Sequence, residues 1–102
     1  MATHERPADR GRRVGVKAVN RLLSELREPR VGGDISARAM AQSLGWSASA
    51  YQRFEAGNVA TTLTDVATVA ALVGLELSVS LHPAGQPIRD RGHQALIARI
   101  RT

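Results

Sequence analysis

At 102 residues the chain suits one small domain with a modest core. It contains no cysteine, which excludes disulfide frameworks and thiolate metal sites, and no apolar run approaches the roughly 18 residues of a membrane span. The formal net charge is +5, and only Lys17 among the 14 basic residues is a lysine, a bias that a GC-rich coding genome explains more simply than function does.

Residues 1–13, "MATHERPADRGRR", are polar and aperiodic, and predict a disordered basic arm. They lack the apolar core of a secretory signal. With no membrane span either, a cytoplasmic protein is expected. Four Arg against Glu5 and Asp9 give this arm a net +2; residues 14–75 carry a net +1, and residues 76–102 a net +2. Basic ends around a nearly neutral middle suit a nucleic-acid partner, though weakly.

Val14, Val16, Val19, Leu22, Leu23 and Leu26 recur at helical spacing and predict a first helix over 13–28. Pro29 should stop it, because proline disfavours helix in the residue before it. The loop "EPRVGGD" follows. Ser36 is placed to cap a second helix whose apolar face is Ala39, Met40 and Leu44, and Gly45 ends it. Ser47 caps a third helix, Ala48 to Ala56, closed by Gly57. Thr61 or Thr62 begins a fourth, with Leu63, Val66, Val69, Ala70 and Val73 on one side and Gly74 at its end.

The period then changes. Leu75, Leu77, Val79 and Leu81 alternate with Glu76, Ser78 and Ser80, which predicts a half-buried strand. A single strand leaves its backbone groups unpaired, so its partner is expected to be the same strand of a second copy about a two-fold axis. The rival partner is a short extended piece near Pro87–Ile88. A last helix over about 90–101 carries Leu96, Ile97 and Ile100 on one side. The domain plan is thus an arm at 1–13, a helical domain at 14–74, and a strand plus helix at 75–102 serving dimerisation or a partner.

Little in the chain suggests catalysis. His4, His82 and His93 lack metal-ligand spacing, and Ser47 and Ser49 have no evident His/Asp partners. No glycine-rich loop has phosphate-cradling form. No enzyme activity, metal or cofactor is expected.

Met40-Ala41, Leu44-Gly45, Tyr51, Phe54-Glu55 and Gly57 together resemble the helix-turn-helix of the Cro and phage-repressor type, the Xre family. "TTLTDVATVAALVGLEL" looks like that family's next helix, so the resemblance covers about residues 14–81. "HPAGQPIRDRGHQALIARIR" is similar, less specifically, to the continuation in some actinobacterial members. The residues support the match physically. Ala41 is small where two helices cross, Gly45 permits the turn, and Met40, Leu44, Tyr51 and Phe54 can fix the angle that projects the third helix.

The resemblance implies an all-α, repressor-like domain of four to five helices, here with one added strand. It implies that the start of the third helix enters the major groove of double-stranded DNA and reads bases through Ser47, Ala48, Ser49, Gln52 and Arg53. Gln52 suits adenine, Arg53 suits guanine or phosphate, and Ala48 can only touch a thymine methyl. Phosphate contacts are expected from Ser36, Arg38, Asn58, Thr61 and Thr62, and non-specific affinity from Arg6, Arg10, Arg12 and Arg13. Glu55 is expected to pair structurally with Arg27 of the first helix, with Arg21 or Arg30 next in line. Trp46, at the turn, and Tyr51 are expected to pack.

The function this implies is a homodimeric, sequence-specific DNA-binding transcriptional regulator, a repressor. A narrower version is an antitoxin that also masks a cognate toxin protein. Ala48 and Ala50 motivate the rival reading, a protein-interaction module on the same scaffold with weak or no DNA binding. A third reading makes the chain the first part of a longer protein.

Overall fold

A computed structural model describes residues 5–85 and residue 87. Four helices follow in order: α1 (Pro7–Gly32), α2 (Ala37–Leu44), α3 (Ala48–Ala56) and α4 (Leu63–Leu72). The family of helix ends is set by local chemistry. Ser36, Ser47 and Thr62 each accept a hydrogen bond from the backbone N–H three residues on, at 3.0, 3.1 and 3.0 Å, and so satisfy one free donor of α2, α3 and α4. Gly45 and Gly57 close α2 and α3 with φ of 73° and 78°, a left-handed conformation that costs a residue with a Cβ about 1–2 kcal/mol. Beyond each glycine the next N–H returns to the helix, from Trp46 to the Ala41 carbonyl and from Asn58 to that of Arg53.

The core is the common centre of the four helices. Leu23 and Leu26 of α1, Met40 and Ala41 of α2, Tyr51 and Phe54 of α3, and Val66, Val69 and Ala70 of α4 are all buried. Burial at 2 % exposure explains the small Ala41, which leaves room for α3 to cross α2 closely. Trp46 in the turn packs on the same centre, 5.3 Å from the Phe54 ring in an edge-on arrangement.

Several expectations need correction. α1 starts at Pro7 rather than 13, so residues 7–13 are helix and not a disordered arm. It also runs through Pro29 to Gly32. A proline removes one N–H and its ring crowds the carbonyl four residues back, but its own carbonyl can still accept; that of Pro29 does so from Gly33, and the last turn persists. Val14 and Val16 are 55 % and 61 % exposed, because the N-terminal half of α1 extends beyond the globule. Leu63, expected on the inner side of α4, is 57 % exposed at its first turn.

The expected strand is absent among the described residues. Leu75, Leu77, Val79 and Leu81 do not share a face: Leu77 packs on the core, while the other three are exposed. The physical reason is that a ladder needs a second edge, and no described segment supplies one. Ile88 and the helix expected over 90–101 lie outside the described residues.

Candidate nucleic-acid interface

α3 separates its faces cleanly. Tyr51 and Phe54, three apart, are buried and anchor the helix; Ala48, Ser49, Gln52 and Arg53 are exposed on the opposite side. Ser47 stands exposed at its N-cap. The five expected base readers are therefore brought together on one accessible surface. Four of them carry polar or charged groups beyond Cβ, of which the Ser47 oxygen already caps α3; Ala48 offers a methyl.

The expected phosphate residues stand at the starts of α2 and α4, except Asn58 just past the end of α3, and the hydroxyls among them are already engaged. The oxygens of Ser36 and Thr62 serve as caps, with their protons left to donate. Thr61 is half-buried and donates to the Val59 carbonyl at 3.2 Å, which shapes the α3–α4 loop. Asn58 and Arg38 are exposed, and the Asn58 N–H is committed to the end of α3. Arg38 is thus the one cation of that set.

The ion pair behind the surface is Arg30–Glu55, not Arg27–Glu55. Arg30 Nε donates to Glu55 Oε2 at 2.6 Å and Nη2 to Oε1 at 2.8 Å, a two-bond fork. Arg30 Nη1 also donates to the Ile35 carbonyl at 2.8 Å, and the Tyr51 hydroxyl donates to Glu55 Oε2 at 3.0 Å. Arg27 is exposed. The bond to Glu55 holds the Arg30 guanidinium above its usual range. Burial, reinforced by the Glu55 charge, pushes the Tyr51 phenol up to about 12. One cluster thereby ties the end of α1, the loop before α2 and the end of α3 together, and fixes the direction in which α3 projects.

The sequence held a signal for this partner. If α1 is continued past Pro29, Arg30 falls on the stripe of Leu23 and Leu26, at i+7 and i+4, which is the buried side. The Tyr51 hydroxyl bond had no such signal, since Tyr51 fits the core by its ring alone.

Beside α3, Trp46, Ala50, Arg53, Phe54, Val59 and Asp65 border a hollow of about 250 Å³. Among the described residues no group of three His, Asp or Glu is arranged to hold a metal ion, and no helix is long and apolar enough to cross a membrane.

Two short helices joined by a three-residue turn, with the second held outward on a buried aromatic pair, define a helix-turn-helix of DNA-binding regulators. A family model described as a helix-turn-helix domain matches residues 21–80, well over half of the chain, and the protein belongs to that family. No curated protein and no solved structure gives a significant match.

Proposed function

We propose that the protein is a sequence-specific transcriptional regulator of the Xre type, a repressor that reads the major groove with α3. The observation that carries this reading is the exposed set Ser47, Ala48, Ser49, Gln52 and Arg53 on a helix whose inner face is anchored by Tyr51 and Phe54. Selection from a random duplex library tests it, followed by affinity measurement against salt. A recovered consensus site is the expected result. No binding to any duplex at low salt would sink the proposal.

With only two strong base-reading side chains per helix, a single half-site is weak, and the reading requires two linked half-sites. Exposed Leu75, Val79 and Leu81 support self-association as a homodimer through that segment. Sedimentation at tens of micromolar, on the order of the working range for a weak dimer, should give twice the chain mass. The antitoxin version adds a cognate toxin protein as partner. Co-purification with the product of a neighbouring reading frame tests that version.

Ala48 on the reading face favours one second reading, a protein-interaction module without DNA. It predicts that Gln52→Ala and Arg53→Ala leave duplex affinity unchanged.

A further inference from the structure

The basic charge of the described chain is concentrated in one half of one helix. Residues 5–21 hold six basic groups against Glu5 and Asp9, a net +4. Residues 22–85, which include α2, α3 and α4, hold four basic groups against six acidic ones, a net −2. One of those four, Arg30, is already forked onto Glu55. A globule of this sign gains little from phosphates, because non-specific DNA affinity comes from cations that displace condensed counterions.

The +4 segment is also rigid and well placed. α1 starts at Pro7, so nine residues of regular helix carry the cations about 14 Å out from Val16. Where α1 leaves the globule, Arg12, Gly15, Val16 and Asn20 line a hollow with Gly57, Val59 and Thr61 of the α3–α4 loop. That loop leads directly into Thr62, the N-cap of α4 and one of the expected phosphate contacts. Farther round the helix, Arg6, Arg10, Arg13, Lys17 and Arg21 are spaced by four, three, four and four residues and form one stripe.

These cations are available for exchange. Arg12–Asp9 at 2.6 Å, Arg13–Glu5 at 3.0 Å and Arg6–Asp9 at 3.4 Å are exposed pairs, which water and salt screen strongly. Lys17 has no ion pair among the described residues.

We infer that the N-terminal half of α1, residues 6–17, is a rigid basic arm that lies along the phosphate backbone beside the α3–α4 loop. It supplies most of the electrostatic affinity of the described chain for duplex DNA, while the net-acidic globule supplies the base contacts. The inference rests on the DNA-binding reading above. It separates two properties by location: affinity and salt dependence belong to α1, discrimination to α3.

The test is fluorescence anisotropy of the full chain on labelled duplexes of about two dozen base pairs and varied sequence, from roughly 50 to 200 mM salt. In the triple variant R12A/R13A/K17A the slope of log K against log salt should fall by about 2–3, at roughly 0.9 per lost phosphate contact. The ranking of the duplex sequences should not change. R12K/R13K should keep the full slope. A variant that keeps every cation of the arm is E5Q/D9N, which removes the competing carboxylates and, with α1 helicity confirmed by circular dichroism, should tighten binding to every duplex. An unchanged slope in the folded triple variant, or unchanged affinity in E5Q/D9N, overturns the arm while leaving the DNA reading intact. Failure of the unmodified chain to bind any duplex at about 50 mM salt overturns both. Tighter binding to polyglutamate than to duplex at equal salt assigns the arm to an acidic protein partner and also overturns the inference.

Discussion

Arg30 and Glu55 meet in a two-bond fork of 2.6 and 2.8 Å, with side chains only 12 % and 16 % exposed. The pair lies 25 residues apart in sequence and joins the last turn of α1 to the last turn of α3. Because Arg30 also holds the Ile35 carbonyl, loss of either partner loosens the approach to α2 as well.

Glu55→Gln should therefore destabilise the fold by about 2–4 kcal/mol, since it leaves a largely buried guanidinium without its carboxylate. In a domain of this size that lowers Tm by roughly 10–25 °C. Arg27→Ala should stay within about 0.5 kcal/mol of the unmodified protein, as an exposed site does. Thermal melts of the two variants side by side check the assignment. Equal losses from both would show that α1 ends as its proline suggests.

Tyr51 makes the stability sensitive to alkali. Its phenol is raised from 10.0 to about 12 in the folded protein, so the folded state holds that proton more tightly than the unfolded chain does. The corresponding stability is fully present below pH 10 and is lost as pH rises from 10 to about 12. The shift corresponds to roughly 2–3 kcal/mol. Tyr51 is the chain's one tyrosine, so its phenolate absorbance follows this group alone. Urea midpoints should fall over that pH window, and Tyr51→Phe should flatten the decline. A phenolate that titrates near 10 in the folded protein would contradict the buried bond to Glu55.

Arg53 and Gln52 are expected to read bases. Replacing either with alanine should cost about 1–3 kcal/mol against the selected site and relax preference at one position. Equal weakening on all sequences would make Arg53 a phosphate contact instead. Neither change should lower stability by more than about 0.5 kcal/mol, because both side chains are exposed.

Ser47 and Ser49 separate capping from recognition. The Ser47 oxygen accepts from the Ala50 N–H at 3.1 Å, so Ser47→Ala should cost about 1 kcal/mol of stability. Ser49 is exposed in the first turn and makes no such bond, so Ser49→Ala should leave the melt unchanged and alter DNA affinity alone. Paired melting and binding curves distinguish the two.

The bounds of α3 could be read directly from the chain: Ser47 starts it, Gly57 ends it, and Tyr51 and Phe54 mark its buried side. The same holds for Ser36 and Gly45, while for α4 the residues left Thr61 and Thr62 open and Thr62 is the cap. These signals act within one turn of backbone, so they survive without knowledge of the rest of the molecule. The exposed set on α3 follows from the same periodicity.

What the residues alone left undecided depends on distant partners. Pro29 disfavours helix locally, yet the chain stays helical to Gly32, and Arg30 there meets Glu55 and the Ile35 carbonyl. The alternation of Leu75 to Leu81 specified a face but could not provide a second edge, and Leu77 turns instead to the core. Val14 and Val16 had helical spacing, but spacing cannot reveal where the neighbouring helices stop, and both are left exposed beyond them. Local rules fixed the ends of α2 and α3 because capping is a short-range interaction; the extent of α1, the ion-pair partner and the fate of the apolar alternation were set by which surfaces the folded chain brings together.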